Sequence, residues 1–167
     1  ETRDEIKPEI RMSDNPAKRI AMRLIDSVPV VQGFGIYEPV ANRARTQFNE
    51  NSKVPSFSEV YPELNHNSIL GWEGGGYLAR NFSVILIRDE KESERIRKRI
   101  EFTKKLLRKS AKSMIEVWSF YPYELSRMLS TMYILDFVTV YLGILRNKDP
   151  GDDSLLLKLK TILKRNG

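Results

Sequence analysis

An α/β fold, with a mainly parallel sheet held between two layers of helices, is what the sequence predicts, and three observations carry it. Short β-branched or apolar runs at 28–32 (VPVVQ), 82–88 (FSVILIR) and 114–120 (MIEVWSF) alternate with longer segments of helical periodicity. The run at 82–88 is apolar almost throughout, as expected of a strand buried on both faces of a parallel sheet. The first run gives way to GFG and then to a helix, the order of a βα unit, so a three-layer α/β/α sandwich is expected.

Taken in order, residues 1–14 are charged and read as an interdomain linker or lead-in helix, and residues 15–167 as the domain. Asn15 supplies a cap and Pro16 the first position of a helix whose apolar stripe is Ile20, Leu24 and Ile25. After the 28–32 strand and the turn at Gly33–Gly35, Pro39 starts a helix lined by Val40, Ala44 and Phe48 and ending near Glu50 or Asn51. Amides near Gly33 and Gly35 would face a helix N-terminus and suit an anion; a turn that merely joins strand to helix is the commoner case. An irregular, proline-bearing stretch leads to the 82–88 strand. A basic amphipathic helix follows, with Ile96, Ile100, Thr103 and Leu107 on one face, and then the strand from Met114. Pro122 opens a helix to about Arg146 that is apolar nearly all round in its second half and is expected to be buried. NKDPGDD breaks it, and Leu155, Leu156, Leu159, Ile162 and Leu163 mark a last amphipathic helix.

The 167 residues contain no cysteine and one histidine. No disulfide framework, thiolate site or thiol nucleophile is possible, which suits a reducing, cytoplasmic setting, and the supply of metal ligands is poor, so no metal and no cofactor is expected. The longest apolar run, MYILDFVTVYLGIL, is interrupted by Asp136 and falls short of a membrane span, so no membrane partner is expected. The net charge of +6 is concentrated between Lys91 and Lys112, where ten Lys or Arg meet three Glu. A single aromatic, Phe102, lies among these charges, too few for a row of base-stacking platforms, so a solvated helix face is preferred over a nucleic-acid surface.

Five stretches, in order, resemble the C-terminal half of the bifunctional phosphoglucose/phosphomannose isomerases, members of the SIS (sugar isomerase) superfamily. They are NPAKRIAMRL at 15–24, VPVVQGFG at 28–35, RTQFNENSKVPSF at 45–57, PELNHNSILGWE at 62–73 and YELSRMLSTMYILDFVTVYLGILRNKDP at 123–150. The resemblance implies a flavodoxin-like SIS domain of an aldose-ketose isomerase that interconverts glucose or mannose 6-phosphate with fructose 6-phosphate through an enediol. It implies a second, N-terminal SIS domain and a homodimer as partners. By the family's motifs, the glutamate of NEN is the base, here Glu50, and the histidine of LNHN opens the sugar ring, here His66. A lysine of the last helix falls on Lys158, or on Lys160 if one residue is inserted. Gly33, Gly35, Asn49 and Asn65 are the expected substrate-binding positions.

The chemistry wants such residues. Hydrogen transfer between C1 and C2 needs one base to take a carbon-bound proton and return it to the neighbouring carbon on the same face, and a carboxylate serves. Ring opening moves a proton off the C1 hydroxyl and one onto the ring oxygen, and imidazole does both near neutral pH. Asn65 and Asn67 are placed to hydrogen-bond such an imidazole. Spacing alone would make Glu50 a solvated helix-end residue, and Lys158 a solvated lysine beside Lys160 and Lys164; Asp136 reads as a buried structural acid. Two departures from the family pattern stand out. Gly151 follows Asp149-Pro150 where relatives often have Thr, which counts against mannose 6-phosphate, and no Ser/Thr-rich phosphate loop is present. A regulatory domain that binds a sugar phosphate without turning it over is the alternative.

Overall fold

The computed structural model describes residues 1–165. Its four strands, β1 (Val28–Phe34), β2 (Phe57–Tyr61), β3 (Phe82–Asp89) and β4 (Ser113–Ser119), form one parallel sheet in the order β2-β1-β3-β4. The helices are α1 (Thr2–Ile6), α2 (Pro16–Leu24), α3 (Glu38–Asn51), α4 (Ser68–Gly74), α5 (Glu94–Leu107), α6 (Glu124–Leu145) and α7 (Ser154–Arg165). The connection through α3 carries the chain outward to β2 and the one through α5 carries it the other way to β4. Right-handed crossovers therefore put these helices on opposite faces of the sheet. Helices α2, α3 and α6 pack together on one face, and α4 packs with α5 on the other.

The core sits where the strands are most apolar. Val30, Val31, Val84, Ile85, Leu86 and Ile87 are sealed between the layers, with Ile115 and Val117 of β4 beside them. Parallel strands with both faces covered do not alternate, which is why 82–88 reads as an almost unbroken apolar run. Asn15 caps α2 as expected: its side chain accepts from the Lys18 amide at 3.0 Å and donates to the Lys7 carbonyl at 3.1 Å. The second bond ties the lead-in segment to the domain, where the fully buried Ile6 of α1 completes the packing.

The structure departs from the sequence expectation in three places. Residues 57–61, read as irregular, form β2; Ser58 and Glu59 dilute its strand pattern and Pro55 and Pro62 flank it, and pairing with β1, Val30 opposite Phe57 through Phe34 opposite Tyr61, is what makes it a strand. Gly33 and Phe34 belong to β1 rather than to a loop. Helix α6 is only partly enclosed: Leu135, Val138 and Leu142 are buried, but Leu125, Leu129 and Ile144 are more than half exposed. By length and composition α6 is also long and apolar enough to cross a membrane, more than its interrupted apolar run suggested. In this fold it packs as a core helix against α2 and α3.

Candidate active site

Glu50 is the penultimate residue of α3 and is exposed, and the backbone around it is held on three sides. The Asn51 amide donates to Thr139 Oγ1 at 2.8 Å, and Ser52 Oγ donates to the Thr139 carbonyl at 2.6 Å, both on α6. Gly143 lets the helices approach so closely that a Cβ there would lie 2.5 Å from the Asn51 carbonyl oxygen. Lys53 adopts a left-handed backbone (φ 53°), unusual for a residue with a side chain. Its Nζ reaches the carbonyls of Glu50 and Asp152, each at 2.6 Å, stapling the end of α3 to the segment that leads into α7. About two turns earlier, Arg43 pairs with Asp136 at 2.8 Å; this acid, expected to be buried, is only partly so, and the pair ties α3 to α6.

Lys158 lies on the first turns of α7, exposed along with every described side chain of that helix. Asp152, fully exposed just before α7, is held below the usual carboxylate range by hydrogen bonds from Ser154, with smaller help from the charges of Lys53 and Lys158. Asn49 is exposed on α3 and its amide bonds back to the Arg45 carbonyl at 3.0 Å.

His66 stands elsewhere. It follows a 3-10 turn, Glu63–Asn65, that begins after β2 has ended, and it is exposed. Asn65 anchors this turn to the α5 face through a 2.8 Å bond to Thr103 Oγ1, and Asn67 is committed to Glu63 Oε1 and to the Ser68 amide. Neither asparagine is bonded to the imidazole. Glu50 lies before β2 on the α3 face, whereas His66 lies after β2 on the α4/α5 face. Within one chain the two residues therefore stand on opposite sides of the sheet, and β2 alone, at five residues, spans about 16 Å between them.

Gly33 is a packing glycine: a Cβ on it would meet the Tyr37 carbonyl oxygen at 2.6 Å. Gly35 is exposed with φ +49°, a conformation that favours glycine. Beside them lies the point where the crossovers diverge, between the C-terminal ends of β1 and β3, the usual ligand crevice of open α/β sheets. Here it is filled from within. Tyr37 Oη donates to Asp89 Oδ2 at 2.7 Å, and Arg127 Nε of α6 lies 2.8 Å from the same oxygen; all three side chains are buried. Burial, and then the bond to Asp89, raise the Tyr37 phenol well above its ordinary range, so it stays a donor. Nearby, Arg88 is enclosed by Glu92, Glu101 and Glu116 and stacks on Trp118, with its carbon 4.5 Å from the ring centre. Among the described residues no group of acids and His66 gathers as a metal site.

The staples around Glu50 were missed by sequence reasoning. Lys53 lay in the quoted motif, but its role needs the Asp152 carbonyl, which is 99 residues away in the chain.

Comparison with known proteins agrees with this architecture. The chain is 34% identical over 149 residues to a bifunctional phosphoglucose/phosphomannose isomerase of Caldicellulosiruptor bescii, a match covering 89% of this chain and 44% of that protein. It is 30% identical over 166 residues to the protein of the same name from Aquifex aeolicus, covering 99% of this chain and 52% of that one. The chain thus spans about half the length of these relatives. Among solved structures, a glucose-6-phosphate isomerase like protein from Thermus thermophilus superposes with a TM-score of 0.75 at 21% identity, covering 93% of this chain and 52% of that one, a likeness of fold. Residues 13–163 match the family described as the bacterial phospho-glucose isomerase C-terminal SIS domain, and with that extent of agreement the chain belongs to this family.

Proposed function

We propose that the chain is the C-terminal domain of an aldose-ketose isomerase acting on a hexose 6-phosphate, and that it supplies base, ring-opening and charge-stabilising groups to a composite site. The observation that carries this reading is the held, solvent-facing end of α3. A carboxylate that must take a proton from C2 and return it to C1 needs a fixed backbone beneath a free side chain. Glu50 has both, since its neighbours Asn51, Ser52 and Lys53 are bonded to other elements while its own carboxylate is exposed. His66 moves the protons of ring opening, and Lys158 stabilises the negative oxygen of the enediolate. Because Glu50 and His66 stand on opposite sides of one sheet, the complete site needs a second protomer to bring in the histidine. A further SIS domain anchors the phosphate, in line with the greater length of the relatives. Gly33, Gly35, Asn49 and Asn65 shape the site's backbone and rim.

Glucose 6-phosphate is the preferred substrate; Gly151, following Asp149-Pro150, counts against the mannose epimer. The test is Glu50→Gln in the full-length enzyme, assayed by a coupled glucose 6-phosphate reaction. Turnover falls by a factor on the order of 10²–10⁴ while fructose 6-phosphate still binds; a variant that keeps wild-type turnover overturns the assignment. A second reading, a sugar-phosphate sensor, is favoured by the separation of Glu50 from His66 within the chain. It predicts that wild-type protein binds the sugar phosphate without turning it over.

A further inference from the structure

Lys53 occupies a backbone position that suits glycine better than lysine. Its φ of 53° lies in the left-handed region, where a Cβ crowds the backbone. A residue kept in such a conformation has to be held there by its surroundings, and here the holding contacts come from its own side chain. The ammonium donates to the Glu50 carbonyl and to the Asp152 carbonyl, each at 2.6 Å. The first acceptor is one of the carbonyls that the end of α3 leaves without a helical partner, since the Val54 amide bonds to the Phe48 carbonyl instead, at 3.4 Å. The second lies two residues before α7, and Asp152 also accepts through Oδ1 from the amide of Ser154, the first residue of that helix, at 3.0 Å. One charged group therefore joins the end of one helix to the start of another.

The joint matters because α7 has little else to hold it. Every described side chain of the helix is exposed. Among the described residues, the bond from Lys53 is the one hydrogen bond that ties segment 151–165 to any part of the chain before Asp149. Lys158 stands about one turn into α7, so its place relative to Glu50 depends on how that helix leaves the domain. The three groups are close: the Asp152 carboxyl is held below its usual range first by hydrogen bonds from Ser154, and then by the charges of Lys53 and Lys158.

We infer that Lys53 is a positioning residue for the isomerase reaction: by bridging the carbonyls of Glu50 and Asp152 it fixes the spacing between the base on α3 and the Lys158 ammonium on α7. This role rests on the isomerase reading, which gives Glu50 and Lys158 their parts. Lys53 touches no reacting atom. It holds in register two groups that must reach one enediolate together, and a displacement on the ångström scale costs on the order of 10² in rate. Glycine would fit the turn at this position and leave the two helices unjoined.

Lys53→Gly in the full-length protein separates positioning from support of the fold. Glycine accepts the left-handed backbone, so the bridge is lost without added strain. Turnover of glucose 6-phosphate in a coupled assay should fall about a hundredfold, with KM changed less than about threefold and the urea midpoint close to that of the wild type. Lys53→Arg, whose guanidinium can donate to both carbonyls, should recover at least about a tenth of wild-type turnover. Wild-type turnover in Lys53→Gly overturns the inference, and so does a loss that follows a lowered midpoint and is not recovered by Lys53→Arg. A second readout needs no reaction. The chain has no cysteine, so nitroxide labels on Thr46→Cys and Thr161→Cys report the distance between α3 and α7 by pulsed electron resonance. Both threonines are exposed and bond only to carbonyls of their own helices. The distance distribution should be narrow with the native Lys53 and in Lys53→Arg, and broad in Lys53→Gly; a distribution that Lys53→Gly leaves unchanged overturns the inference. Wild-type protein with the narrow distribution and no isomerase turnover sinks the isomerase reading and keeps the joint between the helices.

Discussion

Replacing Gly143 by alanine tests whether the end of α3 is held as tightly as the site requires. In an ordinary helix interior the change is favourable by about 0.5–1 kcal/mol, because alanine loses less backbone freedom on folding. At Gly143 the new methyl would sit 2.5 Å from the Asn51 carbonyl oxygen and 3.3 Å from Pro150 Cγ. Restoring ordinary contact at 3.4 Å requires α3 and α6 to part by about 0.9 Å. The Asn51 carbonyl cannot swing away alone, since Asn51 and Ser52 are both bonded to Thr139 on the same helix. Overpacking of this kind costs about 1–3 kcal/mol, which exceeds the propensity gain and leaves a net loss of roughly 0.5–2 kcal/mol. The residue next to Asn51 is Glu50, and a misplacement on the ångström scale costs on the order of 10² in rate, so turnover should fall more than stability does. Urea unfolding and a coupled isomerase assay on the full-length protein measure both. Gly71→Ala is the control, because Gly71 lies inside α4 with nothing within 4 Å of the added methyl, and it should not destabilise. A Gly143→Ala protein as stable as the wild type or more so refutes the close-approach argument.

Other perturbations have outcomes that follow from the same coordinates. Asn15→Ala removes a fully buried cap that also holds the Lys7 carbonyl, and should cost about 2 kcal/mol in chemical denaturation; Asn15→Asp recovers only the cap. Arg88→Met leaves the Glu92 carboxylate enclosed, with only Arg97 in reach at 3.3 Å, and should cost about 3 kcal/mol; adding Glu92→Gln should recover more than half of it. Acidification should weaken the fold through Glu101 and Glu116. Burial alone would raise both carboxyls, but hydrogen bonds from Arg88 and Lys104 to Glu101, and from Lys104 and Trp118 to Glu116, hold them below 4.5. Their folded-state values lie under the unfolded one, so the stabilisation is present above about pH 4.5 and is lost as pH falls through the folded values. Lys104→Met should show a shallower loss of urea midpoint than the wild type between about pH 5 and 3; parallel curves would remove these two groups from the account.

Much of this architecture could be read before any coordinate was known. The 82–88 run is a central strand because only a strand covered on both faces tolerates so few polar residues, and Asn15-Pro16 starts α2 because a side-chain cap and a fixed φ are local requirements. Strand β2 was not legible, because an edge strand owes its form to its neighbour and Phe57–Tyr61 carries little pattern of its own. Gly33 looked like loop chemistry for a related reason: the constraint on it is the Tyr37 carbonyl, a neighbour in space that periodicity does not report.

The candidate site divides along the same line. The residue types suited to proton transfer, Glu50 in NEN and His66 in NHN, are written in the chain, and so is the basic amphipathic stripe of α7. That Glu50 is stapled through Lys53 to a carbonyl near α7, while the turn before His66 is anchored by Asn65 to α5 across the sheet, depends on which way each crossover wraps. Local sequence determines what a segment can form, since capping, periodicity and side-chain chemistry act over a few residues. Which groups share a face is decided by the packing of the sheet, because contacts between residues some ninety positions apart exist only once the whole chain has folded.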